Sequence, residues 1–158
     1  MKNDKLGFNN TVNLKKFDNE GMLLSDKTIH NRTQTETIAG ICDMLVTGTV
    51  TNYTIAGMAI GTGDNAAVSA TTLIAKVSDE AISSGSGVTD NATSVTAIAT
   101  FTNATGGSWV IEEAGIGGDA PVAAHMLFYA CKTIDSLDET LNPSDTLQIT
   151  WTITPADS

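Results

Sequence analysis

The chain is 158 residues long, and its 18 acidic side chains outnumber 8 basic ones, for a formal net charge of −10. Nucleic-acid affinity is carried mainly by Lys and Arg displacing counterions from phosphates, so this balance excludes DNA or RNA binding by the surface as a whole. With no run of about 18 apolar residues, and an opening MKNDKLGFNN without the apolar segment of a signal peptide, the chain is expected to be made in the cytoplasm and to lack a membrane anchor.

A chain of this length can bury one core without disulfide or metal support. The charged fraction is 16%, below the roughly 25% typical of folded domains. Thr is the commonest residue, followed by Ala and Gly. Thr suits a half-buried pleated surface and Gly suits turns, so the composition points to strands and turns rather than to helices.

In chain order, residues 1–32 come first. They hold six basic residues (Lys2, Lys5, Lys15, Lys16, Lys27, Arg32) against four acidic ones, a net +2. The remainder, with Lys76 and Lys132 against fourteen acidic residues, stands at −12. The apolar residues of this segment show no sustained period, so it reads as an extended N-terminal arm that cannot build a core alone. One reading is a solvated basic tail. The other is an arm lying on an acidic neighbouring copy or another acidic subunit, with Leu6, Phe8, Leu14, Lys15, Lys16, Phe17, Leu23 and Leu24 as its contacts. If it is such an arm, removal of residues 1–32 should leave a folded body that no longer binds its partner.

The body, residues 33–158, opens with Thr33-Gln34-Thr35-Glu36, which has the form of a capping box, in which Thr and Glu side chains satisfy backbone amides at a helix start. Ile38, Ile41, Cys42, Leu45 and Val46 follow at helical spacing and Gly48 supplies a stop, so one short α-helix is expected. From Thr49 the pattern changes to strands. Tyr53 to Ile60, a weaker run at Leu73 to Val77, Val95 to Phe101, Trp109 to Ile116, Ala124 to Ile134 and Leu147 to Ile153 are separated by clusters of Gly, Asn, Asp and Ser. In the last run Leu147, Ile149, Trp151 and Ile153 alternate with Gln148, Thr150, Thr152 and Thr154, which predicts one buried and one Thr-lined face. The fold class expected is therefore mainly β: an antiparallel β-sandwich or jelly-roll-like body with one short α-helix and an extended N-terminal arm. Ile38, Ile41, Leu45, Phe101, Trp109, Ile111, Leu147, Ile149, Trp151 and Ile153 are its candidate core.

Candidate chemistry is sparse. Cys42 and Cys131 have no CxxC spacing and read as small buried hydrophobes. His30 and His125 lie far apart in sequence. Gly85-Ser86-Gly87 has the wrong spacing for a nucleophile elbow, and Gly61-Thr62-Gly63 lacks the lysine and the following helix of a phosphate loop. Glu112 and Glu113 are adjacent, so on a strand they project to opposite faces and cannot share a site; whichever points inward should accept hydrogen bonds from a turn. Asp135, Asp138, Glu139, Asn142 and Asp145 could offer oxygens to Ca²⁺, though the spacing fits no EF-hand and a solvated acidic loop explains them as well. Trp109 and Trp151 lie in predicted strands and read as core rather than as sugar platforms. No catalytic, cofactor or metal site is expected, and the chain reads as a non-enzyme.

An ordered series of short motifs remains. Ile60-Gly61-Thr62-Gly63 is followed by Thr72-Leu73, by Phe101, by Ile111-Glu112-Glu113-Ala114-Gly115-Ile116, by Leu127-Phe128, and by Leu147 to Ile153 in the form L-x-I-x-W-x-I. Over residues 55–154 this resembles a group of small tailed-bacteriophage virion proteins whose bodies share an I-G-T-G turn, an E-x-G-[LI] strand and that closing strand. The chain departs from them at Lys76, and the arm is not covered. The resemblance implies a capsid decoration or cement protein, a homo-oligomer and most simply a trimer, bound to the major capsid protein or other virion proteins. Tail, baseplate or fibre-attachment components fit it too. From a different class, a glycan-binding module using an exposed Trp is the alternative.

Overall fold

The computed structural model describes residues 7–33, 55–63, 73–84, 87–91, 93–117, 126–131 and 137–156. The expected helix, with Ile38, Ile41 and Leu45, lies outside the described residues, as does Leu6. The described chain is mainly β. Its strands are β1 (Gly7–Phe17), β2 (Leu23–Thr33), β3 (Gly57–Gly61), β4 (Lys76–Ala81), β5 (Ser83–Ser84), β6 (Gly87–Asn91), β7 (Ser94–Thr102), β8 (Trp109–Ile111), β9 (Glu113–Gly117), β10 (Met126–Cys131), β11 (Glu139–Leu141) and β12 (Thr146–Ala156). Ten of them join in the order β4-β3-β9-β10-β2-β1-β12-β7-β6-β5, while β8 and β11 form a separate pair. The pairings are antiparallel except for the short parallel contact of β5 with β6.

The predicted closing strand sits at the centre. Along β12 the side chains of Leu147, Ile149, Trp151 and Ile153 are buried, and the intervening Gln148, Thr150, Thr152 and Thr154 are half-buried. This is the period-two alternation that one apolar and one Thr-rich face require. On one side β7 pairs with it from Thr102↔Thr146 to Val95↔Ile153, bringing in Ala97, Ala99 and Phe101.

On the other side of β12 lies the segment expected to be an extended arm, and here the structure differs. Residues 7–33 form a hairpin. β1 pairs with β12 over eleven residues, from Gly7↔Ala156 to Phe17↔Thr146, and with β2 from Asn10↔Asn31 to Phe17↔Leu23. Val12, Leu14 and Ile29 are buried in the same core as Trp151 and Phe101. The physical reason is that alternation is present but masked: Phe8, Asn10, Val12, Leu14 and Lys16 share one face of β1. Two of those five are polar, so the inward face does not read as apolar. The hairpin closes through Asp18, whose carbonyl accepts from the Gly21 amide at 3.1 Å and whose Oδ1 accepts from the amides of Glu20 and Met22 at 2.9 and 2.8 Å. Gly21 has φ +82°, a left-handed conformation that glycine adopts without steric cost.

One apolar cluster unites the two halves of the sheet. Met58 and Ile60 of β3 and Ala114 and Ile116 of β9 join residues of β1, β2, β7 and β12. Strand β2 serves both halves, since it pairs with β1 along most of its length and with β10 at Arg32 and Thr33. A second correction concerns Trp109 to Ile116, expected as one strand. It divides at Glu112: β8 pairs with β11, whereas β9 pairs with β3 and β10. The Glu112 amide donates to the Gly61 carbonyl at 3.0 Å instead of to a strand neighbour in register.

Candidate functional site

Two of the motifs that carry the phage resemblance, I-G-T-G and E-x-G-I, meet in space around one side chain. Glu113, at the start of β9, is fully buried. Its Oε1 accepts from the Gly63 amide at 3.2 Å and the Ala75 amide at 2.7 Å, and its Oε2 accepts from the Ile74 amide at 2.9 Å. These three donors flank residues 64–72, so a single carboxyl group ties both ends of that connection. Glycine is required beside it. A Cβ on Gly61 would lie 2.4 Å from Glu113 Oε1 and 2.6 Å from the Ala75 carbonyl, and one on Gly63 would lie 2.5 Å from Ile74 Cβ. The inward glutamate thus accepts hydrogen bonds from a turn, as its position beside Glu112 suggested, and the I-G-T-G and E-x-G-I motifs are two sides of one buried clasp.

A second polar centre closes the end of the β7–β12 ladder. Asn103 is fully buried. Its Nδ2 donates to the carbonyls of Gly107 and Leu141 at 2.8 and 2.9 Å, and its Oδ1 accepts from the Thr105 amide at 3.0 Å. Beside it, the turn at residues 142–145 is closed by the Asp145 amide donating to the Asn142 carbonyl at 3.0 Å. Pro143 and Ser144 occupy its central positions, and the Ser144 φ of +70° gives it a type II form.

The carboxyl groups before β12 are not an open cation cage. Asp145 faces Lys16 at 3.4 Å with both side chains largely buried, and its Oδ2 also accepts from the Asn142 amide at 3.0 Å. Glu139 faces Lys27 at 3.0 Å and accepts from the Ser25 hydroxyl at 3.3 Å. Lys27 donates in addition to the Leu137 carbonyl. Asp135 lies outside the described residues. Among the described residues no group of three or more His, Cys, Asp or Glu side chains gathers in a way that could hold a metal ion. The opposite charges of the N-terminal segment and the body therefore meet within one chain, through Lys16 and Lys27.

The residues expected to bind a partner divide accordingly. Leu14 is buried in the chain's own core and Lys16 is committed to Asp145, so neither is open to a partner. Phe8 is half-buried and packs on the core, Phe17 is half-buried, and Lys15 lies beside its cross-strand neighbour Asp26 at 3.8 Å. Leu23 and Leu24 are each 50% exposed, and Met22 before them is 61% exposed. A β-bulge between Lys16 and Phe17 sets Leu24 outside the regular register. Other exposed apolar side chains, Ile74, Ile98 and Val110, are scattered singly, which is ordinary for a protein surface. Three in a row where a fixed turn enters a strand are not. Met22 was not among the expected contacts; the Asp18-Asn19-Glu20-Gly21 turn signal before it could have placed it on a hairpin tip.

Of the expected core, Phe101, Ile111, Leu147, Ile149 and Trp151 are fully buried, Ile153 is buried, and Trp109 is half-buried against the cluster. Burial removes Trp151 as a glycan platform. No helix among the described residues is long and apolar enough to cross a membrane. Comparison with protein-family models, with curated proteins and with solved structures found no match.

Proposed function

We propose that the chain is a non-catalytic structural protein of a tailed-phage particle, a capsid decoration or cement subunit that works as a homo-oligomer, most simply a trimer, bound to the major capsid protein. The observation that carries this reading is the hairpin tip, where Met22 follows the turn fixed by Asp18, Leu23 and Leu24 open β2, and all three stand at least half exposed. Contiguous exposed apolar side chains on a rigid element suit a protein–protein contact. The motif residues support a structural role as well, because Glu113, Gly61 and Gly63 are spent on holding the body together. We infer a sandwich-like arrangement for that body, with β2 and the β4–β5 run passing between the two halves as corner strands do.

The test is a Leu23→Ser/Leu24→Ser variant. At such exposed positions its stability should stay within about 0.5 kcal/mol of wild type, while its binding to particles stripped of the protein should fall at least tenfold. Unchanged binding would remove the tip from the interface. A tail, baseplate or fibre location is the second reading, and labelling of intact particles separates it from the head.

A further inference from the structure

We propose that the chain holds an uncharged saccharide in a cavity where β2 parts from β1. The proposal adds a ligand site to the structural reading and does not depend on it. β1 runs along β12 as far as Gly7↔Ala156, whereas its ladder with β2 stops at Asn10↔Asn31. Beyond that point β2 turns to β10, pairing Arg32 with Tyr129 and Thr33 with Phe128. At this fork lies a cavity of about 470 Å³ lined by Phe8, Asn9, Asn10, Thr11 and His30. That volume falls within the roughly 300 to 1,000 Å³ of small-molecule sites.

The lining decides the class of ligand. It holds no Asp or Glu to take a cation and no Lys or Arg to take an anion, and the net charge of −10 opposes anions further. Phe8 is its one apolar side chain, too little for a lipid or another largely apolar molecule. The other four side chains carry groups that both donate and accept hydrogen bonds: the carboxamides of Asn9 and Asn10, the Thr11 hydroxyl and the His30 imidazole. A sugar hydroxyl is likewise donor and acceptor at once, and adjacent hydroxyls on a pyranose ring match such a set. The C–H face of the same ring is apolar and packs on an aromatic side chain, which Phe8 supplies.

Asn10 gives the site a polar floor. It is 2% exposed and shares the inward face of β1 with Phe8 and Val12. Burying a carboxamide there costs more than burying an apolar side chain, and its place in the cavity wall gives that group a ligand to hold. Asn9 and His30, by contrast, are exposed, so they form a rim past which a sugar enters.

The test is an NMR titration of the isotope-labelled full-length chain with maltose, cellobiose, lactose and N,N′-diacetylchitobiose, with sialyllactose as the anionic control and glycerol as the minimal polyol. At least one of the four neutral disaccharides should give saturable shifts at residues 8–11 and 30, with a dissociation constant of about 1 mM or tighter, and neither control should. His30→Ala and Asn9→Ala each truncate an exposed side chain, so both should keep the wild-type melting temperature while weakening that sugar at least tenfold. Leu23→Ser/Leu24→Ser, at the far end of the β1–β2 ladder, should bind it as the wild type does, which separates this site from the hairpin tip. No saturable shift at residues 8–11 and 30 with any of the four, shifts with a control alone, or unchanged affinity in both alanine variants would overturn the proposal.

Discussion

Glu113 is a buried carboxyl group whose hydrogen bonds come from its own chain's backbone. Its two oxygens accept from three backbone amides, those of Gly63, Ile74 and Ala75. A buried donor left without a partner costs about 1 to 3 kcal/mol. Glu113→Gln, which sets a carboxamide NH2 against a backbone N–H donor, should lose about that much, and Glu113→Ala should lose more; urea unfolding measures both. Gly61→Ala and Gly63→Ala should each cost about 1 to 3 kcal/mol by overpacking the clasp, because the added Cβ meets the Glu113 side chain at 2.4 and 2.7 Å respectively. The turn before β12 predicts the opposite sign. Ser144 holds a left-handed φ of +70°, so Ser144→Gly should raise stability by up to about 1 kcal/mol, seen as a higher thermal midpoint. Part of this was legible from sequence: adjacency placed Glu112 and Glu113 on opposite faces, and one of the two did turn to a turn. Which donors it would find was not legible, because they come from residues 63, 74 and 75, distant in sequence and brought together only by the β3–β4 pairing.

At the scale of elements, strands with uninterrupted alternation were readable and those with polar inward positions were not. β12 announces itself because Leu147, Ile149, Trp151 and Ile153 are all apolar. β1 hides because Asn10 and Lys16 share the inward face with Phe8, Val12 and Leu14, and Lys16 is tolerated there only through Asp145. Pairing of that kind depends on tertiary structure, which local pattern cannot carry. The division of Trp109 to Ile116 at Glu112 was hidden for a similar reason: both pieces are extended, and only their partners differ. Since β1 and β2 lie between β12 and β10, deletion of residues 1–33 should not leave a folded body. It strips an eleven-residue ladder and the buried side chains of Val12, Leu14 and Ile29, each worth about 1.5 to 3 kcal/mol. Far-UV circular dichroism and a melting curve on the truncated chain check this, and a cooperative transition at the wild-type temperature would contradict it.

For the whole molecule, the excess negative charge remains on the body even after Lys16 and Lys27 are paired, so the outer surface should repel nucleic acid and other acidic surfaces. Contacts with a partner are then expected to be apolar and local, which is what the Met22-Leu23-Leu24 tip offers. The mainly β architecture was legible from composition and turn spacing, whereas the placement of residues 7–33 inside it was not. The most direct measurement of the proposed role is a cryo-EM reconstruction of tailed-phage particles assembled in cells that make this chain. A decoration role predicts β density in repeated copies on the particle, with the hairpin tip at residues 22–24 pressed against a neighbouring subunit. Absence of the chain from the particle, or a tip that faces solvent in every copy, would contradict it.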